Sequence, residues 1–588
     1  MNLAIRRLAV AAVLCCCAGS ALGQQSIIDA DRYALEYARR NPQAQNNGSM
    51  RQRGIIASSV PAGTIVNVTI PKAQTGTNYN EPIVIQEPWD LNAGGIRPLM
   101  VVWNGYGNSP SSFYTPGVSG LDEEANCRSW LTVAMFAVDD QAMGCVSPIP
   151  AQTNVEAVID YMIAHYSVDL DRIYMVGWSM GAGASASYAA RHLDPNEPMI
   201  AALALDAGTF DLINAYNSES GAFKNIAHLI FGGPPSNPSF TFNYARSESQ
   251  WYDFGTNAIL EASSQLRNLR HVPIHHVYST DDTVLYLPTQ NSLFTNFLTA
   301  KGATIASTAV SGQVPPHSWN IMDPVAALDF LQTKTVNRSP ASFEITADRS
   351  ARYYWADVTQ RTANQFSTLA VTTNAVANTL TLTGVANVGA LTLAPPVASM
   401  NVGAHFTVAL TTTDVGATSL VIEGVQTQPT YVLNGTSLLT GWTWVAGDLT
   451  LPVTATGTTS LEVRFDDFDG VMSGPSTLAI NNNLHLTLTG TTPNQPYFFM
   501  LGTSEGVLPL SLIDPSDDRN ILVGFNPFPI MLPAAFGGAP TASFDLFIPN
   551  NAALVGSRLY CQFVTYPGSS HVIDVISNRL DVDLTAGP

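Results

Sequence analysis

Gly177-Trp178-Ser179-Met180-Gly181 lies between a strand-like run, Arg172-Ile173-Tyr174-Met175-Val176, and a helix-like run from Ala184 to Leu193. The flanks decide how the five residues read. A serine at a sharp strand-to-helix turn is lifted clear of its sheet, and glycines on either side permit a strained backbone and close neighbours. The helix N-terminus beneath it favours negative charge, which is what develops on a carbonyl oxygen under attack. Ser179 is therefore a candidate nucleophile, and the pattern around it should be an alternation of strands and helices.

That alternation runs from Gly63 to Leu331. Leu99-Met100-Val101-Val102-Trp103 and Leu131-Thr132-Val133-Ala134-Met135-Phe136 read as buried strands, and Val155 to His165 as an amphipathic helix. Ile200 to Leu205, Ile274 to Tyr278 and Ile305 to Val310 supply further strands, and Val325 to Leu331 a closing helix. Such a series predicts a mostly parallel sheet with helices on both faces. A serine nucleophile needs a base and an acid that orients it, and in this arrangement they follow in the order Ser, Asp or Glu, His. Ser279-Thr280-Asp281-Asp282-Thr283-Val284 follows a late strand, making Asp282 the candidate acid and Asp281 the near alternative. Asp-Asp-Thr after a strand is also ordinary turn chemistry. Val314-Pro315-Pro316-His317-Ser318-Trp319 places His317 on a loop before the closing helix. The other histidines fall in strands, on helices or in the later β region, so His317 alone combines loop context with the right order. Backbone N–H groups of Met180 and of Tyr106, in Trp103-Asn104-Gly105-Tyr106-Gly107-Asn108, are the candidate oxyanion donors.

At 588 residues the chain should hold several domains. Only 12% of residues are charged, about half the usual ~25%. The formal charge is −19, which argues against nucleic acid, whose binding relies on Lys and Arg. Residues 1–23 read as a secretory signal: Arg6 and Arg7, a short apolar run from Leu8 to Ala18, then Ala21-Leu22-Gly23 at the cleavage position. Lipidation at Cys15, Cys16 or Cys17 is disfavoured because Val13-Leu14 lacks the small residue expected before a lipidated cysteine. Loss of the leader would take the charge to −21, since it removes the two arginines. No later run is long and apolar enough to span a bilayer. An extracellular or periplasmic location follows, and in an oxidising compartment Cys127 and Cys145 are natural partners, with Cys561 a buried small hydrophobe.

Residues 24–62 read as an N-terminal helix and linker, and 63–337 as the α/β domain. After Pro340 helical periodicity vanishes, and runs such as Thr379-Leu380-Thr381-Leu382-Thr383 recur between turn residues. This predicts one or two all-β sandwich domains, 338–472 and 473–588. Phe465-Asp466-Asp467-Phe468-Asp469-Gly470 clusters carboxylates that suit calcium, but it lacks EF-hand spacing and reads first as an acidic turn. No metal site and no cofactor are expected.

Residues about 95 to 335 resemble secreted α/β-hydrolases of the esterase type, closest to polyhydroxybutyrate depolymerases and feruloyl esterase-like enzymes, and to prolyl oligopeptidase-like catalytic domains. The carriers are Pro98-Leu99-Met100-Val101-Val102-Trp103-Asn104-Gly105, Asp171-Arg172-Ile173-Tyr174 leading into the elbow, Asn268-Leu269-Arg270-His271-Val272-Pro273, and Pro316-His317-Ser318-Trp319. The resemblance implies triad roles for Ser179, Asp282 and His317. Asn104-Gly105 and Tyr278-Ser279 stand where these families usually carry His-Gly, and Ala182 where a third glycine is common. The C-terminal part resembles β-sandwich modules appended to secreted planctomycete-like or myxobacterial proteins, on Leu554-Val555-Gly556-Ser557-Arg558-Leu559-Tyr560 and Ile576-Ser577-Asn578-Arg579-Leu580. That resemblance transfers no activity; cell-surface or glycan binding is the expected partner role of the C-terminal part.

The long span between Ser179 and Asp282 predicts an insertion at 208–269. Its aromatics Phe240, Phe242, Tyr244, Trp251 and Tyr252, with Tyr106, Trp178 and Trp319, either line a substrate cleft or pack the insertion's own core. The expected function is a serine carboxylic-ester hydrolase acting on phenolic, polysaccharide-linked or polyester substrates, including polymeric ones. A serine peptidase of prolyl oligopeptidase-like type ranks behind it, because about 90 residues before the sheet cannot make a propeller. A non-catalytic surface protein is the reading from a different class.

Overall fold

The computed structural model describes residues 61–137, 146–250, 252–253, 258–413, 418–453, 456–465, 468–525, 529–566 and 571–587. The expected leader and nearly all of the N-terminal helix and linker lie outside these residues, as do Cys145, Trp251, Asp466 and Asp467. The described residues fall into two compact units, one running up to residue 370 with 386–389 and the other formed by 371–385 with the residues from 390 onward.

The first unit is built on an eight-stranded sheet. Its strands are Thr64–Ile70 (β1), Glu81–Glu87 (β2), Arg97–Trp103 (β3), Leu131–Met135 (β4), Val168–Trp178 (β5), Ala202–Asp206 (β6), Ile274–Ser279 (β7) and Ile305–Val310 (β8). The spatial order is β1-β2-β4-β3-β5-β6-β7-β8. β1 and β2 run antiparallel to their neighbours, and β3 to β8 pair in parallel. The buried strands were legible because a parallel sheet covered on both faces is apolar along its length. β3, β4 and β6 are buried at every residue. β1 and β2 were not singled out from the sequence; β1 is an edge strand with only Ile70 fully buried, so its pattern is diluted.

Helices cover both faces. Leu121–Cys127 (α1) and Pro324–Leu331 (α8) share an apolar cluster with Met100 and Val102 of β3 and Tyr174 and Val176 of β5. The alternate residues Leu99, Val101 and Trp103 are equally buried and face the other way, since successive strand side chains alternate. Ile149–His165 (α2), Met180–Arg191 (α3) and Leu287–Ala300 (α7) complete the set, and α3 is buried throughout. The 208–269 insertion contributes Leu212–Ser218 (α4), Gly221–Phe231 (α5) and Pro238–Ala245 (α6).

The first β segment is tied to this unit by buried polar bonds. Arg191 of α3 donates from Nε and Nη2 to the two carboxylate oxygens of Asp348, each at 3.0 Å, and from Nη1 to Gln152 Oε1 at 2.6 Å. Arg246 adds a third bond to Asp348 at 3.0 Å. Asn268 Nδ2 donates to the carbonyls of Ala190 and Thr346, and its Oδ1 accepts from the Thr346 N–H. Burial opposes ionisation of Asp348, but Arg191 and Arg246 overcome it and hold the carboxyl below its usual range. A depressed carboxyl contributes stability above the unfolded pKa of about 3.9, and that contribution is lost as pH falls through the folded value. Removing one partner of a buried pair leaves the other charge uncompensated, at about 3–5 kcal/mol. Asp348→Ala should lower unfolding free energy by that amount in urea at pH 7. A loss under about 1 kcal/mol would show that the pair stabilises nothing.

The second unit is all β. Thr379–Ala386, Phe406–Thr412, Gly457–Arg464, Tyr431–Asn434 and Ser437–Leu438 are successive neighbours in one sheet, and Thr418–Ile422, Asp448–Val453 and Thr443–Val445 in another. Farther along, Val471–Ser473, Asn483–Thr489 and Thr541–Phe547 form a three-stranded sheet. A five-stranded sheet runs Thr477–Ala479, Leu580–Thr585, Arg558–Thr565, Pro496–Gly502 and Ile530–Ala535. Leu484, Leu486 and Leu488 from the former share a core with Phe499, Cys561 and Phe563 from the latter, two sheets packed face to face. Cys561 is a free thiol there, pushed up to about 12 by burial and the charge of Asp581. Among the described residues no helix is long and apolar enough to cross a membrane.

Candidate active site

β5 ends at Trp178 and α3 begins at Met180, leaving Ser179 alone at the turn with φ 55° and ψ −126°. A non-glycine residue there carries about 1–3 kcal/mol of strain and persists only where its surroundings over-determine it. They do: Ser179 N–H donates to the Asp206 carbonyl at 2.8 Å, and its own carbonyl accepts from Ala182, Gly183 and Thr209. The flanking glycines are steric requirements. A Cβ on Gly181 would stand 2.0 Å from the Trp103 carbonyl oxygen, and one on Gly177 2.4 Å from that of Gly181. Ala182 is accommodated, fully buried, because the next close approach falls one residue later, at Gly183.

The elbow stands at the C-terminal ends of the parallel strands, where the loops after β7 and β8 converge on it. His317 Nε2 lies 3.0 Å from Ser179 Oγ, and His317 Nδ1 lies 2.8 Å from Asp282 Oδ2. Asp282 is 4% exposed, and its Oδ1 accepts from the Val284 N–H at 2.8 Å. With Asp282 ionised, Nδ1–H donates to it and Nε2 is left to accept the serine proton. Asp281 is exposed and turned away, bonded to the Ser279 hydroxyl and the Gly312 N–H, which hold its carboxyl below the usual range. The turn reading therefore belongs to Asp281 and the orienting position to Asp282.

Gly105 lets the loop after β3 pass against the elbow: a Cβ there would meet the Trp178 ring at 2.9 Å and Ser179 Cβ at 3.1 Å. Asn104 fastens the loop by donating from Nδ2 to the Ser109 carbonyl at 3.2 Å. Tyr106 follows, in one apolar cluster with Met180. Met180 opens α3, so its N–H belongs to the first turn, whose donors have no intrahelical acceptor.

Trp178 is half-buried and tilted over His317, ring centres 5.0 Å apart. Trp319, expected to contact substrate, is only 4% exposed and sits in the core, edge-on to Phe113 at 5.6 Å and 6.0 Å from Trp178. It supports Trp178 from beneath. Of the two readings for the insertion's aromatics, packing fits the ones described. Tyr244 is buried against Phe231, Phe240 packs on Gly232 and Gly233, and Phe242 on Phe366. Trp251 and the side chain of Tyr252 lie outside the described residues. Tyr244 and Phe231 belong to the same apolar cluster as Met180, together with Leu212, Ile213, Tyr216, Phe223 and Ile230 of α4 and α5. The positions of the α4 and α5 residues along short amphipathic helices look like ordinary core, so the sequence held no signal that they sit beside the elbow.

Asp206 was also missed. It closes β6 as one more residue of a buried strand, yet its side chain is 0% exposed beside the triad. Burial pushes its carboxyl well above the usual range, and the charge of Asp282 adds to the shift. The folded protein holds this proton while the unfolded chain releases it above about pH 4, so stability falls as pH rises from there, by up to ~1.4 kcal/mol per pH unit. Asn is neutral throughout. The melting temperature of Asp206→Asn relative to the native protein should therefore climb between pH 5 and pH 8; a constant difference would refute the buried proton.

Cys127, the expected partner of Cys145, is a free thiol at the end of α1. Burial raises its pKa, and Glu124 and Glu123 add to the shift. Among the described residues no group of three or more His, Cys, Asp or Glu side chains could hold a metal ion.

No protein-family profile and no curated protein matches the chain. Among solved structures it is similar to a ferulic acid esterase, at 14% identity and a TM-score of 0.33, over 46% of this chain and 98% of that one. An S-formylglutathione hydrolase from Agrobacterium tumefaciens matches at 11% identity and 0.34, over 46% of this chain and 93% of that one. The acylaminoacyl peptidase of Pyrococcus horikoshii matches at 12% and 0.35, over 48% of this chain and 43% of that one. The class rests on the molecule itself: the strand order and the serine elbow define an α/β-hydrolase fold.

Proposed function

We propose that the protein is a serine carboxylic-ester hydrolase working through an acyl-enzyme. The observation that carries this reading is the unbroken line from Ser179 Oγ through His317 to Asp282, at 3.0 and 2.8 Å. Ser179 Oγ attacks the ester carbonyl carbon while His317 Nε2 takes its proton, and the carbonyl π pair moves onto oxygen. The N–H groups of Met180 and Tyr106 receive that oxyanion. Collapse breaks the bond to the leaving alkoxide, which takes the proton from His317 and departs as alcohol. Water then repeats the sequence on the acyl-enzyme, giving the free acid and restoring the serine. Asp282 keeps the imidazole in the required tautomer and offsets its charge while it is protonated.

The apolar cluster of Tyr106, Met180, Ile213, Tyr216 and Phe223 supports an apolar or phenolic acyl group beside the elbow. Phenolic, polysaccharide-linked and polyester esters are the proposed substrate classes, for a protein exported by its 1–23 leader. Methyl ferulate, acetylated xylan, polyhydroxybutyrate and a peptide p-nitroanilide test this directly. Turnover of the anilide with none of the esters would replace the esterase with a peptidase, and turnover of acetylated xylan alone would remove the apolar acyl preference.

A further inference from the structure

The second unit contains a cavity of about 520 Å³ that plays no part in ester hydrolysis. Aromatic rings form one part of its lining. Tyr431 and Phe468 are stacked with ring centres 5.7 Å apart, and half-buried Trp442 joins them. Trp444, two residues on, spends its indole N–H on the Val425 carbonyl at 2.7 Å and is not part of the lining. The same lining carries charged planar groups already locked together. Arg579 donates from Nη1 to Glu505 Oε1 at 2.8 Å and from Nη2 to Asp581 Oδ2 at 3.0 Å, and its guanidinium lies 5.0 Å over the Tyr560 ring. Glu505 and Asp581 remain about one-third exposed, which leaves acceptor capacity open to the cavity.

This lining selects by chemistry. Two carboxylates against one guanidinium leave a net charge of −1, which repels phosphates and acidic polymers, as does a chain of formal charge −19. A purely apolar ligand would strip water from the ion pairs with nothing in return. A ring with an apolar C–H face and a rim of hydroxyls satisfies both sides: the face lies on the aromatic rings and the hydroxyls bond to Glu505, Asp581 and Arg579. The volume suits a few such rings. We propose that this cavity binds a neutral polysaccharide, with Trp442 as the stacking platform. The site would hold the enzyme at its solid or polymeric substrate without touching Ser179, so it stands whether or not the ester reading does.

Affinity electrophoresis of the full protein in gels containing soluble arabinoxylan, mixed-linkage β-glucan or glucomannan tests this. At least one polymer should retard the native protein and Ser179→Ala alike. Trp442→Ala should weaken that affinity at least ten-fold, while Trp442→Phe keeps most of it. Hydrolysis of p-nitrophenyl butyrate and the melting temperature should not change in either tryptophan variant. Retardation by none of the three polymers overturns the proposal, as does equal retardation of Trp442→Ala. Binding of a lysine oligomer at the cavity, abolished by Trp442→Ala and uncompeted by the polymers, would assign it to a cationic peptide instead.

Discussion

Ser179→Ala should lower kcat for p-nitrophenyl butyrate on the order of a million-fold and abolish labelling by a fluorophosphonate. The label forms a phosphorus–oxygen bond to Ser179 Oγ and expels fluoride, so it needs both the oxygen and a base to take its proton. Alanine removes the oxygen and leaves His317, Asp282 and the proposed oxyanion donors in place. Residual rate above the uncatalysed reaction, roughly 10³–10⁴-fold, is expected from those donors and from binding alone. The variant should also be no less stable, since Ser179 Oγ makes no structural bond beyond His317 and the backbone bonds at the elbow are main-chain. The positive φ persists, so the strain does too. Labelling elsewhere on the chain, or turnover within ten-fold of native, would remove Ser179 from the chemistry.

Asp282→Asn and Asp281→Asn should separate by about four orders of magnitude in kcat, although the two residues are adjacent. An amide at 282 still fits its buried site, but it presents a donor or a neutral acceptor to His317 Nδ1, favouring the wrong tautomer and withdrawing the charge that offsets the imidazolium. Comparable triads lose ~10⁴-fold on this change. Asp281 bonds only to Ser279 and the Gly312 N–H at the protein surface, and its amide variant should remain within a few-fold of native. Equal losses in both variants would mean that the loop, and not the carboxylate at 282, is what the chemistry needs.

Much of this site could be read before any geometry was known, because its constraints are local. Gly177 and Gly181 are glycines for lack of room, the acid and base each follow a strand, and strand order along the chain is preserved by a doubly covered parallel sheet. The misassignment of Trp319 has a physical origin. It is an aromatic residue next to the base in sequence, and an aromatic ring serves a core as well as a cleft; only burial separates the two uses. Asp206 ends a strand of apolar residues and carries no pattern of its own.

The chain's own order of residues determined the alternating strands, the serine elbow, the candidate His317 and a choice between two neighbouring aspartates. Tertiary structure decided which aspartate faces His317, which aromatics surround Met180, that the Asp206 carboxyl is fully buried, and that residues near 348 are bonded into the first unit. The division follows from range. Backbone strain, steric exclusion at glycine and turn chemistry act within a few residues and leave marks in sequence. Desolvation and charge pairing depend on what the fold brings alongside, as Arg191 meets Asp348 across more than 150 positions, and these are settled only when the chain has closed on itself.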